Sequence, residues 1–298
     1  MKIKGIITAM VTPFDENQEI NSKATKQLIN KLISSGVDGI FILGTNGEFH
    51  MLSEDEKVAF AKIVIDEVDK RVPVYVGTGG NSTCEVIALS KKMEAIGADA
   101  LSVITPYFLV PTQEEVIIHY KSVAESVKIP IILYNIPKNT GMNLEVSTVA
   151  ELAKVKNING IKDSSGKLEN IKNYIEATKD QDFCVLSGSD SLILKSLQLG
   201  ATGAIAATSN LLTELDVSIY KNFLTGDMDT AEKAQKDLEV LRTTLKLGTV
   251  PSILKKSVEL SGIPVGPARL PVTEPNPEVV EKIKEMLNYY GISCNSNQ

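Results

Sequence analysis

Gly160-Ile161-Lys162-Asp163-Ser164-Ser165-Gly166 follows an apolar run over residues 155–161 that polar residues interrupt. The stretch sets a lysine where a strand ends and a loop begins. Most lysines are solvated surface groups, and a single one in a loop says nothing about function. The position acquires meaning if the strand belongs to a barrel, because residues at the C-terminal ends of barrel strands face the mouth. A lysine drawn partly out of water there has its charged form disfavoured, so more of it is free amine. A free amine attacks a ketone and forms a Schiff base, which then serves as an electron sink.

Outward from Lys162, short apolar runs alternate with longer amphipathic ones. Residues 4–11, 37–43, 73–76, 100–104, 130–134, 158–162, 183–186 and 204–207 read as strands. Between them, residues 23–35, 53–69, 82–96, 112–127, 144–155, 167–178 and 191–199 read as helices, with another after the last strand. Leu28, Ile29, Leu32 and Ile33 recur at helical spacing before Gly36 stops the first helix, and Ser53 with Glu56 forms a capping box. Ser35-Gly36-Val37-Asp38-Gly39, Ile96-Gly97-Ala98-Asp99-Ala100 and Leu199-Gly200-Ala201-Thr202-Gly203 share one shape, a glycine cap followed by a strand. Strict alternation implies parallel strands, and eight units imply a closed (β/α)8 TIM barrel over residues 1–226. Three helical stretches without strands, 229–247, 250–260 and 278–290, then make a C-terminal three-helix appendage over residues 227–298. The proline-rich link 262–277 is expected to wrap it against the barrel.

Composition is compatible with this. The chain has 298 residues, enough for a barrel of about 250 and an appendage. A net charge of −6 without a basic stripe argues against a nucleic-acid partner. No apolar run reaches the roughly 20 residues of a membrane span. The first ten residues lead straight into Val11-Thr12-Pro13-Phe14 and read as a strand rather than a signal peptide, so a cytoplasmic location is expected. Cys84, Cys184 and Cys294 are far apart, with no zinc spacing, and read as idle thiols. No cluster of acids and histidines at ligand spacing suggests a metal.

Several strand ends carry candidate chemistry. Gly44-Thr45-Asn46-Gly47-Glu48 is rich in backbone N–H groups, a cradle for a carboxylate, although by itself it is also an ordinary turn. Tyr134-Asn135-Ile136-Pro137 offers a phenol able to relay protons; the same tyrosine in a core would simply bond a carbonyl. Thr105-Pro106-Tyr107-Phe108 ends the fourth strand, and Ser187-Gly188-Ser189-Asp190 supplies a polar rim. His50 lies just past the glycine turn and is a candidate for the site or an interface, whereas His119 reads as structural. Gly77-Thr78-Gly79-Gly80 lacks the Lys-Ser/Thr that would make it a phosphate loop.

With Thr12-Pro13-Phe14, Gly77-Thr78-Gly79, Gly160-Ile161-Lys162-Asp163 and Arg269-Leu270-Pro271 added, these motifs resemble the dihydrodipicolinate synthase / N-acetylneuraminate lyase family of pyruvate-dependent class I aldolases. The resemblance covers essentially the whole chain. It implies Lys162 as the Schiff-base lysine, Tyr134 as proton relay and Thr45 as relay threonine. It also implies a substrate-binding set of Thr45, Asn46, Gly188, Asn139 and Ala206, with the N–H groups of Thr45 and Asn46 on the keto-acid carboxylate. The covalent imine on Lys162 replaces any cofactor or metal. The family's usual assembly is a homotetramer, a dimer of dimers.

Departures from the pattern bear on substrate. The synthases place an arginine in the loop after the tyrosine; here Asn139 stands there, beside Lys138, which lacks the bidentate fork. The sialic-acid lyases place a glutamate where this chain has Ser191. Asn46, Phe49 and Asn139-Thr140-Gly141 look more like 4-hydroxy-2-oxoglutarate and 2-keto-3-deoxy-sugar-acid aldolases. The tyrosine that many members send into the neighbouring subunit's site falls at Phe108, with Tyr107 just before it. Asn81 and Glu85 match a lysine feedback site, but Phe49 and Lys57 do not, so strong lysine inhibition is not expected. The reading is thus a lyase that cleaves a 4-hydroxy-2-oxo acid to pyruvate and an aldehyde. Its alternatives are 4-hydroxy-tetrahydrodipicolinate synthase, which condenses pyruvate with aspartate semialdehyde; N-acetylneuraminate lyase; and, in another class, a keto-acid-binding homologue without catalysis.

Overall fold

The computed structural model describes residues 3–294, so the first two residues of the expected barrel span and the last four of the appendage lie outside it. The strands are β1 (Gly5–Ala9), β2 (Gly39–Ile42), β3 (Val74–Gly77), β4 (Ala100–Ile104), β5 (Ile131–Asn135), β6 (Ile158–Asp163), β7 (Cys184–Ser187) and β8 (Gly203–Ala206). Each pairs in parallel with the next, and β8 returns to β1 with Ile7 opposite Ile205, closing the barrel. A closed sheet has no edge, so most strand backbone groups find partners within it, while the N–H groups of Ile6 and Val74 donate to the Asp38 and Asp99 carboxylates, each at 2.8 Å.

Two apolar layers follow from the two-residue period of the strands. Ile7, Phe41, Tyr75, Ala100, Ile132, Leu186 and Ile205 fill the lumen. The alternate residues, such as Ile6, Ile40, Leu101, Val103, Leu133 and Ile161, pack outward against the helices. Ser53 and Glu56 form the expected capping box at the start of the helix Glu54–Val68, with the Ser53 N–H donating to Glu56 at 2.8 Å. Among the described residues no helix is long and apolar enough to cross a membrane.

The first two strands are shorter than their apolar runs because side chains and helix ends take over their terminal backbone groups. The N–H of Val11 donates to Asn210 Oδ1 at 3.0 Å, not to a neighbouring strand. The N–H of Val37 is still held by the carbonyl of Leu32 at the helix end, after Gly36 at φ 89°. The expected helix 144–155 is Val146–Leu152, since Asn135 Oδ1 accepts the Leu144 N–H and holds that residue outside the helix. A separate one-turn helix, Pro137–Thr140, precedes it, opened by a proline that needs no N–H partner there. The expected helix 229–247 is broken into Met228–Asp237, Glu239–Thr244 and a 3-10 turn, Leu245–Leu247, with Leu238 tightening the first junction. Helices Val250–Leu260 and Pro277–Tyr289 complete the described C-terminal region.

Arg269 ties the link between those last two helices to the opposite end of the sequence. Its guanidinium donates to Gln18 O (2.7 and 3.0 Å), Met51 O (3.0 Å) and Glu56, and it lies 4.4 Å above the Phe14 ring. Hydrogen bonding from Arg269, aided by Ser53, holds the Glu56 carboxyl down to about 2. A depressed carboxylate pKa contributes stability that is whole above the ordinary value of 4.5 and is lost as pH falls toward 2. Glu56→Gln should therefore lower Tm above pH 5, and the gap from the parent should close as pH falls from 4.5 toward 2. Thermal denaturation across that range checks it; a gap independent of pH would refute the assignment.

Candidate active site

In a parallel ladder, residues in register point the same way. Tyr134 of β5 is opposite Lys162 of β6, which is opposite Leu186 of β7, and all three turn into the lumen near the C-terminal ends of their strands. Lys162 is 3% exposed and Tyr134 4%. The Lys162 Nζ stands 4.2 Å from the centre of the Tyr134 ring and 4.8 Å from that of Phe41. The Phe41 and Tyr134 rings meet edge to face at 6.4 Å. Among the described residues Nζ makes no hydrogen bond or ion pair, which leaves it free toward the mouth.

Thr45 joins this pair from the end of β2. Its Oγ1 lies 3.3 Å from the Tyr134 hydroxyl, and either oxygen can donate. The turn around it is held by Thr12 Oγ1, which donates to Gly47 O at 2.6 Å, and by the Glu48 N–H, which donates to Thr45 O at 3.1 Å. The N–H groups of Thr45 and Asn46 donate to no other group among the described residues. Two free N–H groups beside a buried amine are suited to a carboxylate next to a reacting carbonyl.

Gly188 makes room for the lysine. A Cβ there would come within 2.9 Å of Lys162 Cε and 2.1 Å of Ser164 Oγ. Its N–H donates to Asp163 O at 2.8 Å, so the backbone after β7 runs against the end of β6. Ala206 does not join these residues: it belongs to the helix-facing layer, and the lumen position on β8 is its neighbour Ile205. Ala206 is one residue out of phase with the lumen position, and a two-residue period turns such an offset to the opposite face.

Beyond Tyr134 the mouth opens into a cavity of about 330 Å³ lined by Thr45, Phe49, His50, Ile104, Tyr107, Asn139 and Thr140. Burial lowers the pKa of His50, Glu48 opposing and Lys57 adding to that effect. Tyr107 stacks edge-on to Phe49 at 6.1 Å, and Asn81 Oδ1 accepts its N–H. Phe108 is 90% exposed at φ 77° and turns away from its own chain's cavity. His119 is buried, with Nδ1 2.9 Å from Thr83 Oγ1, outside the mouth. A larger cavity, about 610 Å³ around Lys31, Glu214 and Tyr290, shares no residue with this site.

A layer behind the site escaped the sequence reading. Asp163, 1% exposed, accepts from Asn135 Nδ2 (2.7 Å) and Ser165 Oγ (2.6 Å). Burial raises its carboxyl above the ordinary range, against those hydrogen bonds. The signal was present: Asn135 follows Tyr134 as Asp163 follows Lys162, and the two are opposite each other in the ladder. Among the described residues no group of acids, histidines or cysteines could hold a metal ion. Because Gly188 packs on the lysine stem, Gly188→Ala should reduce borohydride-trapped pyruvate on Lys162 by about a hundredfold. Intact-mass measurement of the adduct checks this; an unchanged yield would mean the contact is slack.

The profile of the dihydrodipicolinate synthetase family matches residues 2–289. The chain is 42% identical to the 4-hydroxy-tetrahydrodipicolinate synthase of Syntrophus aciditrophicus, over 97% of this chain and 99% of that one. It is 40% identical to the 4-hydroxy-tetrahydrodipicolinate synthase 1 of Halalkalibacterium halodurans, over 97% of each. A prophage protein of the dihydrodipicolinic acid synthase family from E. coli K12, solved in complex with pyruvate, superposes with a TM-score of 0.95 at 33% identity, over 98% of this chain and all of that one. A closed parallel barrel, a buried lysine beside a tyrosine and a threonine, and these likenesses agree: the chain belongs to the dihydrodipicolinate synthetase family, whose members are pyruvate-dependent lyases that work through a Schiff-base lysine and need no cofactor.

Proposed function

We propose that this chain is a 4-hydroxy-tetrahydrodipicolinate synthase, joining pyruvate to aspartate semialdehyde. The observation that carries it is the Lys162 amine over the Tyr134 ring with Thr45 on the Tyr134 hydroxyl, in a chain whose relatives at 40 and 42% identity bear that name. These relatives favour the synthase over the cleavage of a 4-hydroxy-2-oxo acid expected from the motifs. The Lys162 amine adds to C2 of pyruvate, and water leaves to give the imine. Loss of a C3 proton gives the enamine, with the carboxylate on the N–H groups of Thr45 and Asn46. The enamine carbon adds to the aldehyde, and the Tyr134–Thr45 pair protonates the new alkoxide. The substrate's own amine then attacks C2, closes the ring and expels Lys162; one water is released overall.

One observation favours the sugar-acid aldolase as a second reading. Besides the apolar Phe49 and Ile104, the cavity is lined by hydroxyl, amide and imidazole groups, with no lysine or arginine to pair with a carboxylated aldehyde. In that reading Tyr134 takes the C4 hydroxyl proton and the C3–C4 bond breaks onto the imine. The sialic-acid reading has less support, since Ser191 Oγ is occupied by Arg242 Nε at 3.2 Å. The proposal extends to a cytoplasmic homotetramer, for which the exposed Phe108, Leu109, Val110 and Ile118 offer apolar contact surface. Light scattering on the purified protein tests the assembly.

Pyruvate consumption with aspartate semialdehyde, run beside pyruvate release from 2-keto-3-deoxy sugar acids, 4-hydroxy-2-oxoglutarate and N-acetylneuraminate, decides the substrate. Consumption with aspartate semialdehyde alone is the expected result; release from the panel without it would overturn the synthase reading. Pyruvate binding with no turnover of any aldehyde would mark a non-catalytic homologue. Lys162→Ala should abolish the trapped pyruvate adduct in every case.

A further inference from the structure

Lys255 has no exposure, although it is a lysine in the helix Val250–Leu260. Its Nζ donates to Glu48 Oε1 at 3.0 Å and to Pro267 O at 2.6 Å, and stands 4.2 Å over the Phe14 ring. Glu48, 1% exposed, sits in the left-handed region at φ 55°, which turns its side chain out of the mouth and into this packing. Its other oxygen accepts the Arg269 N–H at 2.8 Å. Burial draws Lys255 down to about 8 against the pull of Glu48.

Such a pair is a poor device for stability, because desolvating two charges offsets most of their attraction, and an apolar pair of similar size often does as well. What it supplies is a fixed distance between two parts of the chain 207 residues apart. Glu48 is the last residue of the turn that carries Thr45 and Asn46, and its N–H bonds the Thr45 carbonyl. A sideways shift of Glu48 moves both the free N–H groups and the Thr45 hydroxyl that reaches Tyr134.

We infer that Glu48 and Lys255 are positioning residues: through them the C-terminal helical region holds the 44–48 turn in the orientation that grips the keto-acid carboxylate and passes protons through Tyr134. The inference rests on the reading of the site as a Schiff-base lyase for pyruvate. It gives the helices beyond the barrel a part in catalysis without placing any of their atoms on the substrate. Arg269, bonded to Glu48 by its backbone and to Glu56 by its side chain, braces the same turn.

The test is a double-mutant cycle on pyruvate adduct formation, read by borohydride trapping against pyruvate concentration. Glu48→Gln keeps one acceptor oxygen for two donors, so either Lys255 Nζ or the Arg269 N–H meets an amide N–H instead, and the half-saturating pyruvate concentration should rise about tenfold. Glu48→Gln with Lys255→Met leaves no stranded charge, so it should fold, and should show a similar rise. Thr45→Val should cost about a hundredfold in trapping rate in the parent but less than about tenfold in that double variant, since residues acting as one unit are not additive. Additive losses, or a fall in Tm with pyruvate saturation unchanged, would reduce the pair to a structural role and overturn the inference. Absence of any adduct in the parent protein would instead overturn the lyase reading and the inference with it, so the two failures are distinct.

Discussion

The parallel register between β5 and β6 governs this site. With Tyr134 opposite Lys162, both side chains point into the lumen at one height, and the amine must lie against the phenol ring. The next pair outward, Asn135 and Asp163, turns the other way and bonds behind the sheet, which locks that register. A slip of one residue would send the lysine into the helix layer and a carboxylate into the mouth. Barrel closure makes such a slip costly, because each strand is held on both sides and β8 must still meet β1.

The Lys162 amine sits in aromatic surroundings, away from the charged groups that brace the 44–48 turn. Phe41 and Tyr134 cover Lys162, and the free N–H groups of the 44–48 turn supply the polarity a carboxylate needs. The charges that brace the turn, Glu48, Lys255, Arg269 and Glu56, lie on its far side. Breaking a buried pair by removing one partner costs about 3–5 kcal/mol, so this bracing is stiff even where its net contribution to stability is small. The mouth is therefore shaped by a core that includes the C-terminal helices.

Much of the fold was legible in residues because it depends on local periodicity. Alternation of short apolar runs with amphipathic ones, and glycines after helices, identified each strand within a few residues. The errors cluster where a distant side chain takes a backbone group that the local pattern assigns to a strand or helix. Asn210, just past the neighbouring strand β8, takes the Val11 N–H at the end of β1, and Asn135 holds Leu144 outside its helix. The Ala206 placement failed for a similar reason, since only the β1–β8 pairing reveals that Ile205 faces inward.

The sequence alone determined which chemistry was present: a lysine at a strand end, a tyrosine at the end of the preceding strand, and a turn rich in N–H groups. Those are properties of residue types and of spacing along the chain. Only the tertiary structure decided that the three converge, that Gly188 leaves space for the lysine stem, and that Lys255 reaches Glu48 across 207 residues. The reason is that sequence periodicity reports the environment of one element at a time. The distance between two elements is set by closure of the whole barrel and by the packing of the helices that follow it.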